Sequence, residues 1–319
     1  MGKDNKAIVE AWNTYFEKSY DQRYHYTMLP RNVWVLEQEA TRYLEKTSNS
    51  TLRILDFGCG SGRCFAFVEQ YAKKYPGITI EVLAYDPACE GLKRYSEHLT
   101  KKFFTQTDGP DISDRHKEPN PDGQKGYRAF SMKKGNITVN FVHGDVNDTL
   151  EYIKSIIGEE FGLTTAMFGV LSYIPGKENR QNTLAMFRQI TANNGSIVMT
   201  HPTRTRFLDI QAKYKAYRAD PANHMQDLGL AVQEGDIYYE REGGKVKNYY
   251  HLYDTSDLQE DLDAAHLPSQ IQVSNIGDMK TLVDNPILSR VDEYASWLTP
   301  RSWVDCCATD SLSISRVSR

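Results

Sequence analysis

One stretch, Ile54-Leu55-Asp56-Phe57-Gly58-Cys59-Gly60-Ser61-Gly62, constrains the fold of this chain more than any other. A short apolar strand beginning at Leu52 runs directly into three glycines at alternate positions. Glycine enters the left-handed backbone region without a Cβ penalty, and its lack of a side chain lets backbone approach a bound molecule closely. The residues from about Arg63 to Lys74 read as a helix ended by Pro76-Gly77. Such a helix points the free amides of its first turn back at the glycines.

The strand-helix rhythm continues downstream. Ile78 to Tyr85 reads as a strand and Ala88 to Phe104 as a helix, while Thr107 to Lys125, rich in Asp, Pro, Gly and Asn, reads as a loop. Tyr127 to Met132 and Ile137 to Val142 form a predicted hairpin across Lys134-Gly135-Asn136. A helix is expected near Thr149 to Ile157, then a strand from Leu163 to Val170. The next helix carries Leu184, Phe187 and Ile190 on one face, with Asn193-Asn194-Gly195 as its predicted C-cap, before a strand from Ser196 to Thr200. This alternation predicts a parallel sheet covered on both faces.

The flanks differ from this core. Residues 6 to 46 predict two helices separated at Pro30, with the aromatic segment Tyr20 to Tyr26 between them. Beyond residue 202, a basic helix over 203–218 and a hairpin across Gly243-Gly244 are expected. A helix opening at Thr255 and closing strands at Ile271–Val273 and Ser311–Val317 complete the chain. The expected organisation is an N-terminal helical lid over residues 1–48 and a core over 49–202. A cap or insertion over 203–253 and a C-terminal helix with closing strands over 254–319 follow.

Bulk properties exclude some partners. A net charge of −4 gives no general attraction to polyanions, so a nucleic-acid substrate would need a local basic face. Arg204, Arg206, Lys213, Lys215 and Arg218 are the candidates for one, although a solvated helical face explains them more simply. No run of about 18 apolar residues is present, and the opening Met1-Gly2-Lys3-Asp4 leads into a polar stretch. The five cysteines fit neither a zinc site nor a disulfide framework. No metal and a cytoplasmic location are the expectations.

The glycine spacing narrows the ligand. A dinucleotide fingerprint has its third glycine three residues after the second; here it follows by two, with Asp56 preceding. The run Asp56-Phe57-Gly58-Cys59-Gly60-Ser61-Gly62 resembles motif I of class I S-adenosylmethionine-dependent methyltransferases. That resemblance implies a Rossmann-like α/β fold: a seven-stranded sheet with helices on both faces, an N-terminal helical lid and a cap or hairpin insertion. It further implies that Asp56, Gly58, Gly60 and Gly62 cradle S-adenosyl-L-methionine, and that Asp86, before Pro87, accepts both ribose hydroxyls. Asp145 and Val146 would meet the adenine, and Phe168 would lie beside the methionine part. At the end of its strand Asp86 would be well solvated and structurally dispensable. Phe161-Gly162 departs from the family's usual Phe-Asp pair.

Methyl transfer is an in-line displacement that depends on alignment, and a hydroxyl acceptor usually adds a base. Tyr173, His201 and His251 are the candidate catalytic residues, with packing roles as the alternative for both histidines. The expected acceptor is an O or N atom of a small molecule. The alternatives are a tRNA-modifying enzyme and a non-catalytic cofactor-binding scaffold.

Overall fold

A computed structural model describes residues 3–18, 27–108, 127–144, 160–206, 215–218, 233–241, 246–277, 282 and 285–318. Helix α1 (Lys3–Lys18) precedes α2 (Pro30–Thr47), strand β1 (Thr51–Phe57), α3 (Phe65–Lys74), β2 (Thr79–Asp86) and α4 (Cys89–Lys101). Strands β3 (Thr105–Asp108), β4 (Tyr127–Lys134), β5 (Ile137–His143) and β6 (Phe161–Ala166) follow, then helix α5 (Lys177–Ile190) and β7 (Thr191–Pro202). The remainder comprises β8 (Lys215–Arg218), β9 (Asp236–Arg241), β10 (Val246–His251), α6 (Thr255–Ala264), β11 (Ser269–Asn275), α7 (Pro286–Leu298) and β12 (Asp310–Arg316).

The main sheet has nine strands in the order β11-β12-β7-β6-β1-β2-β5-β4-β3. Its centre is parallel, β5-β2-β1-β6-β7, and β12 enters antiparallel between β7 and β11. The expected seven strands are therefore present, with β4 and β3 extending one edge as antiparallel additions. Alternate residues of each strand feed opposite layers. Leu52 and Ile54 of β1 pack with Leu36 of α2, Phe65 of α3 and Leu92 of α4. Leu55 and Phe57 face the other way, against Leu184 and Phe187 of α5 and Leu258 and Leu262 of α6.

Several local expectations are corrected. Pro30 does not merely separate helices; it occupies the first turn of α2, where the missing N–H costs nothing. Helix α5 stops at Ile190, and Asn193-Asn194-Gly195 lies within β7 rather than capping the helix. Asn194 takes a left-handed φ of 64° there, beside a register shift between β6 and β7. Lys215–Arg218 is a strand pairing with β9, not the end of a basic helix. Gly162, where relatives carry an acid, has a physical reason: a Cβ there would lie 2.3 Å from the ring of Tyr43 on α2. The helix expected at 149–157, the turn at Gly243-Gly244 and the tyrosines at 20, 24 and 26 lie outside the described residues. Among the described residues, no helix is long and apolar enough to cross a membrane.

Strands β8, β9 and β10 form a separate three-stranded antiparallel sheet. Strand β10 packs on α1 and on the short 3-10 turn Val170–Tyr173 that follows β6. Through these contacts both flanks of the chain converge on the carboxyl ends of the central strands.

Candidate cofactor site at the glycine turn

All three glycines adopt the conformation for which they were singled out, with φ of 68° at Gly58, 50° at Gly60 and 88° at Gly62. Close approach adds a second reason. A Cβ on Gly58 would fall 2.4 Å from Val170, and one on Gly62 would fall 2.2 Å from the ring of Tyr95. The turn is pinned to β2 by the Cys59 N–H, which donates to the Tyr85 carbonyl at 2.9 Å.

Asp86 closes the turn from the neighbouring strand. Its Oδ2 accepts from the Gly60 N–H at 2.7 Å, and its Oδ1 accepts from the Ala88 N–H at 2.7 Å. The side chain is enclosed, contrary to the solvated carboxylate expected from sequence. Burial pushes its carboxyl up to about 6 despite those two hydrogen bonds. Asp56, at the end of β1, accepts from Thr165 Oγ1 at 3.2 Å through Oδ1, while its buried Oδ2 has no protein partner. Burial raises this carboxyl to about 7, against the opposing hydrogen bonds from Cys64 and Thr165.

Pro87 places its carbonyl 3.1 Å from His143 Nε2, which joins the ends of β2 and β5. Phe168 sits after β6 with a φ of 66°, held by a hydrogen bond from its N–H to Thr200 Oγ1. The Arg63 guanidinium lies over the Phe168 ring, 4.1 Å from its centroid. Asp145 and Val146 lie outside the described residues.

The sequence suggested an N-terminal helical lid but not which of its residues would meet this turn. Helix α1 lies across it: Phe16 would touch a Cβ on Gly60 at 3.0 Å and one on Gly91 at 3.0 Å. Asn13 Oδ1 accepts from the Glu90 N–H at 3.0 Å, so α1 caps the start of α4. Trp12 stands edge-on to Tyr173 at 4.7 Å, and Tyr173 packs on Tyr250 of β10 at 4.5 Å. The only available signal was the periodic Trp12, Tyr15 and Phe16, which in sequence reads as an ordinary helix face.

Of the three catalytic candidates, Tyr173 alone joins this aromatic group. His201 is fully buried, with Nε2 2.8 Å from Ser313 Oγ and its ring edge-to-face with Tyr253. Burial, reinforced by His251, lowers it to about 3. His251 is also buried, its Nδ1 2.7 Å from Asp236 Oδ1. Burial lowers its pKa, outweighing the opposing hydrogen bond with Asp236. Tyr173 therefore packs with Trp12 and Tyr250, while both histidines are buried against the Tyr253 ring. Arg204 pairs with Asp254, Asp257 and Glu234, and Arg206 with Asp310, so these two arginines are neutralised within the fold.

Residues 35–230 match a family model described as a methyltransferase domain. No curated protein matches the chain. Among solved structures, it is similar to an S-adenosylmethionine-dependent methyltransferase from Clostridium acetobutylicum ATCC 824. That match has 8% identity over 99% of this chain and 100% of the other, with a TM-score of 0.47. A second similar structure is a methyltransferase from Methanosarcina mazei, with 12% identity over 86% and 96% and a TM-score of 0.47. A third is CalS10, an amino pentose methyltransferase from Micromonospora echinaspora, with 14% identity over 90% and 92% and a TM-score of 0.42. With more than half of its length matched by the family model, the chain belongs to the methyltransferase domain family.

Proposed function

We propose that this enzyme transfers the methyl group of S-adenosylmethionine to a small-molecule acceptor, and that the acceptor atom is a neutral amine nitrogen. The bound cofactor supplies an electrophilic methyl on a sulfonium. Everything else asked of the protein is alignment and exclusion of water.

The residues present fit that cofactor. The glycines keep the turn tight against Val170, Phe16 and Tyr95, where any side chain would clash, and Asp56 Oδ2 is a buried acceptor with no protein partner. An orphaned carboxylate oxygen of this kind suits an ammonium group or an ordered water beside one. Asp86 would accept the ribose hydroxyls, and Phe168 would flank the methionine part. The domain roles follow the same proposal: α1 and the β8-β9-β10 sheet act as lid and cap over a core formed by the main sheet.

The observation that carries the acceptor class is the aromatic enclosure of Trp12, Tyr173 and Tyr250 at the glycine turn. Such walls favour a compact substrate over a nucleic-acid strand, which would need a basic groove. A hydroxyl acceptor commonly requires a base, yet both candidate histidines are buried with depressed pKa values. A deprotonated amine needs none. Tyr173 then orients the acceptor by its ring and hydroxyl rather than by removing a proton.

The test is methyl transfer to a panel of small amines, matched alcohols and phenols, and tRNA, followed by release of S-adenosylhomocysteine and by product mass. Amines are expected to react, with kcat/KM rising with pH toward the pKa of each amine. Turnover confined to alcohols or to tRNA would overturn the amine assignment, and release with none of them would favour the scaffold alternative.

Cofactor affinity carries its own pH signature. In the ligand-free protein Asp86 titrates at about 6, and only its ionised form accepts two hydroxyl hydrogen bonds. Binding therefore draws off its proton. Affinity is expected to weaken by up to about tenfold per unit as pH falls below about 6, with Asp56, raised to about 7, extending the decline up to about pH 7. Calorimetry from pH 5 to 8 in buffers of different ionisation enthalpy reads both the trend and the released proton. A flat profile would remove Asp86 from the ribose.

A further inference from the structure

Helix α7 is oriented inside out. Its inward side is polar: Asp292 Oδ1 accepts from the backbone N–H groups of Ile276 and Gly277, at 3.0 and 2.6 Å, and buried Ser296 donates toward Asp292 Oδ2. These bonds fix which side faces the body of the protein. The outward side is apolar, with Ile287, Val291, Tyr294 and Leu298 exposed by 76, 61, 73 and 72%. Of the nine large hydrophobic side chains exposed among the described residues, eight lie on α7 or at Trp34 and Trp303 beside it. Scattered exposed hydrophobic residues need no explanation, but a contiguous patch marks an interaction surface.

We propose that this face is the pairing surface of a homodimer, α7 of one copy lying against α7 of the other. The spacing identifies a helix as the occupant. Steps of four, three and four residues along 287, 291, 294 and 298 trace the seam of a coiled coil, where each side chain inserts between those of a facing helix. A two-fold axis lets one such seam serve as both halves of the interface. The area is sufficient: four aromatic side chains of roughly 150–250 Å² each, exposed by 43–73%, and four aliphatic ones exposed by 45–76% together present on the order of the ~800 Å² per partner that a stable interface buries. A membrane surface is the poorer occupant, because interfacial helices surround their apolar face with Lys and Arg. Here Arg290 is the lone basic residue of the helix, against Asp292 and Glu293.

Analytical ultracentrifugation of the full chain tests this, with a Val291→Glu/Leu298→Glu variant beside the wild type. The wild type is expected to sediment as a dimer. Two buried carboxylates at the seam are expected to raise the dissociation constant at least about a hundredfold, leaving a monomer with an unchanged far-ultraviolet circular dichroism spectrum. Should the double variant lose that spectrum, Tyr294→Ser removes apolar area without adding charge and is expected to weaken the dimer about tenfold. A monomeric wild type, or a folded seam variant that stays dimeric, overturns the proposal. So does wild-type protein that remains monomeric and instead co-sediments with vesicles of anionic phospholipid.

Discussion

Replacing Asp261 with alanine is expected to lower the stability of this protein by about 3–5 kcal/mol, the usual result of removing one partner from a buried ion pair. Arg180 on α5 and Asp261 on α6 meet at 3.3 Å, each side chain only 2% exposed. Their surroundings make the loss severe. Asp261 also accepts from Gln181 Nε2 at 3.1 Å and from the Tyr253 hydroxyl at 3.4 Å. Arg180 in turn donates to the Tyr249 hydroxyl at 3.2 Å and to Gln233, and Tyr249 donates to Asp236 at 2.6 Å. Alanine at 261 would leave a guanidinium enclosed without its nearest carboxylate, at a cost comparable to much of a typical domain's 5–15 kcal/mol. Urea unfolding should show a lower midpoint at unchanged slope. The double replacement Arg180→Met/Asp261→Leu should recover a large part of the loss, because an apolar pair no longer has to be desolvated as ions. A loss below about 1 kcal/mol for Asp261→Ala would mean that Asp236, through Tyr249, already neutralises the arginine. Since Arg180 lies on α5 and Tyr249 and Asp236 in the small sheet, this cluster also ties the small sheet to α5.

The sequence carried the glycine turn because the requirement there is local. Three residues must take positive φ, and only glycine does so freely. The succession of strands and helices was legible for a similar reason: alternating apolar runs and helical periods report burial on two faces of a sheet. Strand β3 was not, since Thr105-Gln106-Thr107-Asp108 has no apolar alternation and pairs only at an edge. The end of α5 was misplaced because Asn-Asn-Gly has the chemistry of a C-cap, and only the pairing of β7 with β6 and β12 overrides it. Helix α7 was not among the expected elements although Ile287, Val291, Tyr294 and Leu298 recur at helical spacing, and that spacing does not say that the stripe faces outward. The histidines show the limit most plainly. His201 is placed by Ser313, 112 residues away, and His251 by Asp236 on the adjacent strand. Contacts at that separation leave no mark in a local window, so a histidine after a core strand reads equally as a base or as packing.

Asp86 is where the ligand and the fold make competing demands, and its substitution is expected to affect both. Sequence alone suggests that Asp86→Ala leaves the ligand-free protein unchanged, because a strand-end carboxylate should be solvated. The enclosed side chain instead ties Gly60 to Ala88, and alanine would leave both backbone N–H groups without their acceptor. Each unsatisfied group costs about 1–3 kcal/mol. Part of that is offset at neutral pH, where the wild-type carboxylate is held ionised above its preferred range. The sign follows from the raised value: the contribution of Asp86 to stability is fully present below the unfolded carboxylate pKa and is lost as pH rises through about 6. The net expectation for ligand-free Asp86→Ala at pH 7 is a loss of about 1–3 kcal/mol, growing toward pH 5. Asp86→Asn removes the charge but keeps only one acceptor oxygen and sets its amide NH2 against the other backbone N–H, so its ligand-free stability should lie between those of alanine and wild type. Both variants lose the charged acceptor proposed for the ribose, a contribution of about 1.5–3 kcal/mol, and cofactor affinity should fall roughly ten- to a hundredfold. Asparagine thus separates the two roles. A melting experiment with and without S-adenosylhomocysteine decides between them: Asp86→Asn should keep a cooperative ligand-free transition, above that of Asp86→Ala, and lose most of the ligand-induced shift. If it keeps the full shift, the carboxylate serves the glycine turn alone and the ribose is held elsewhere.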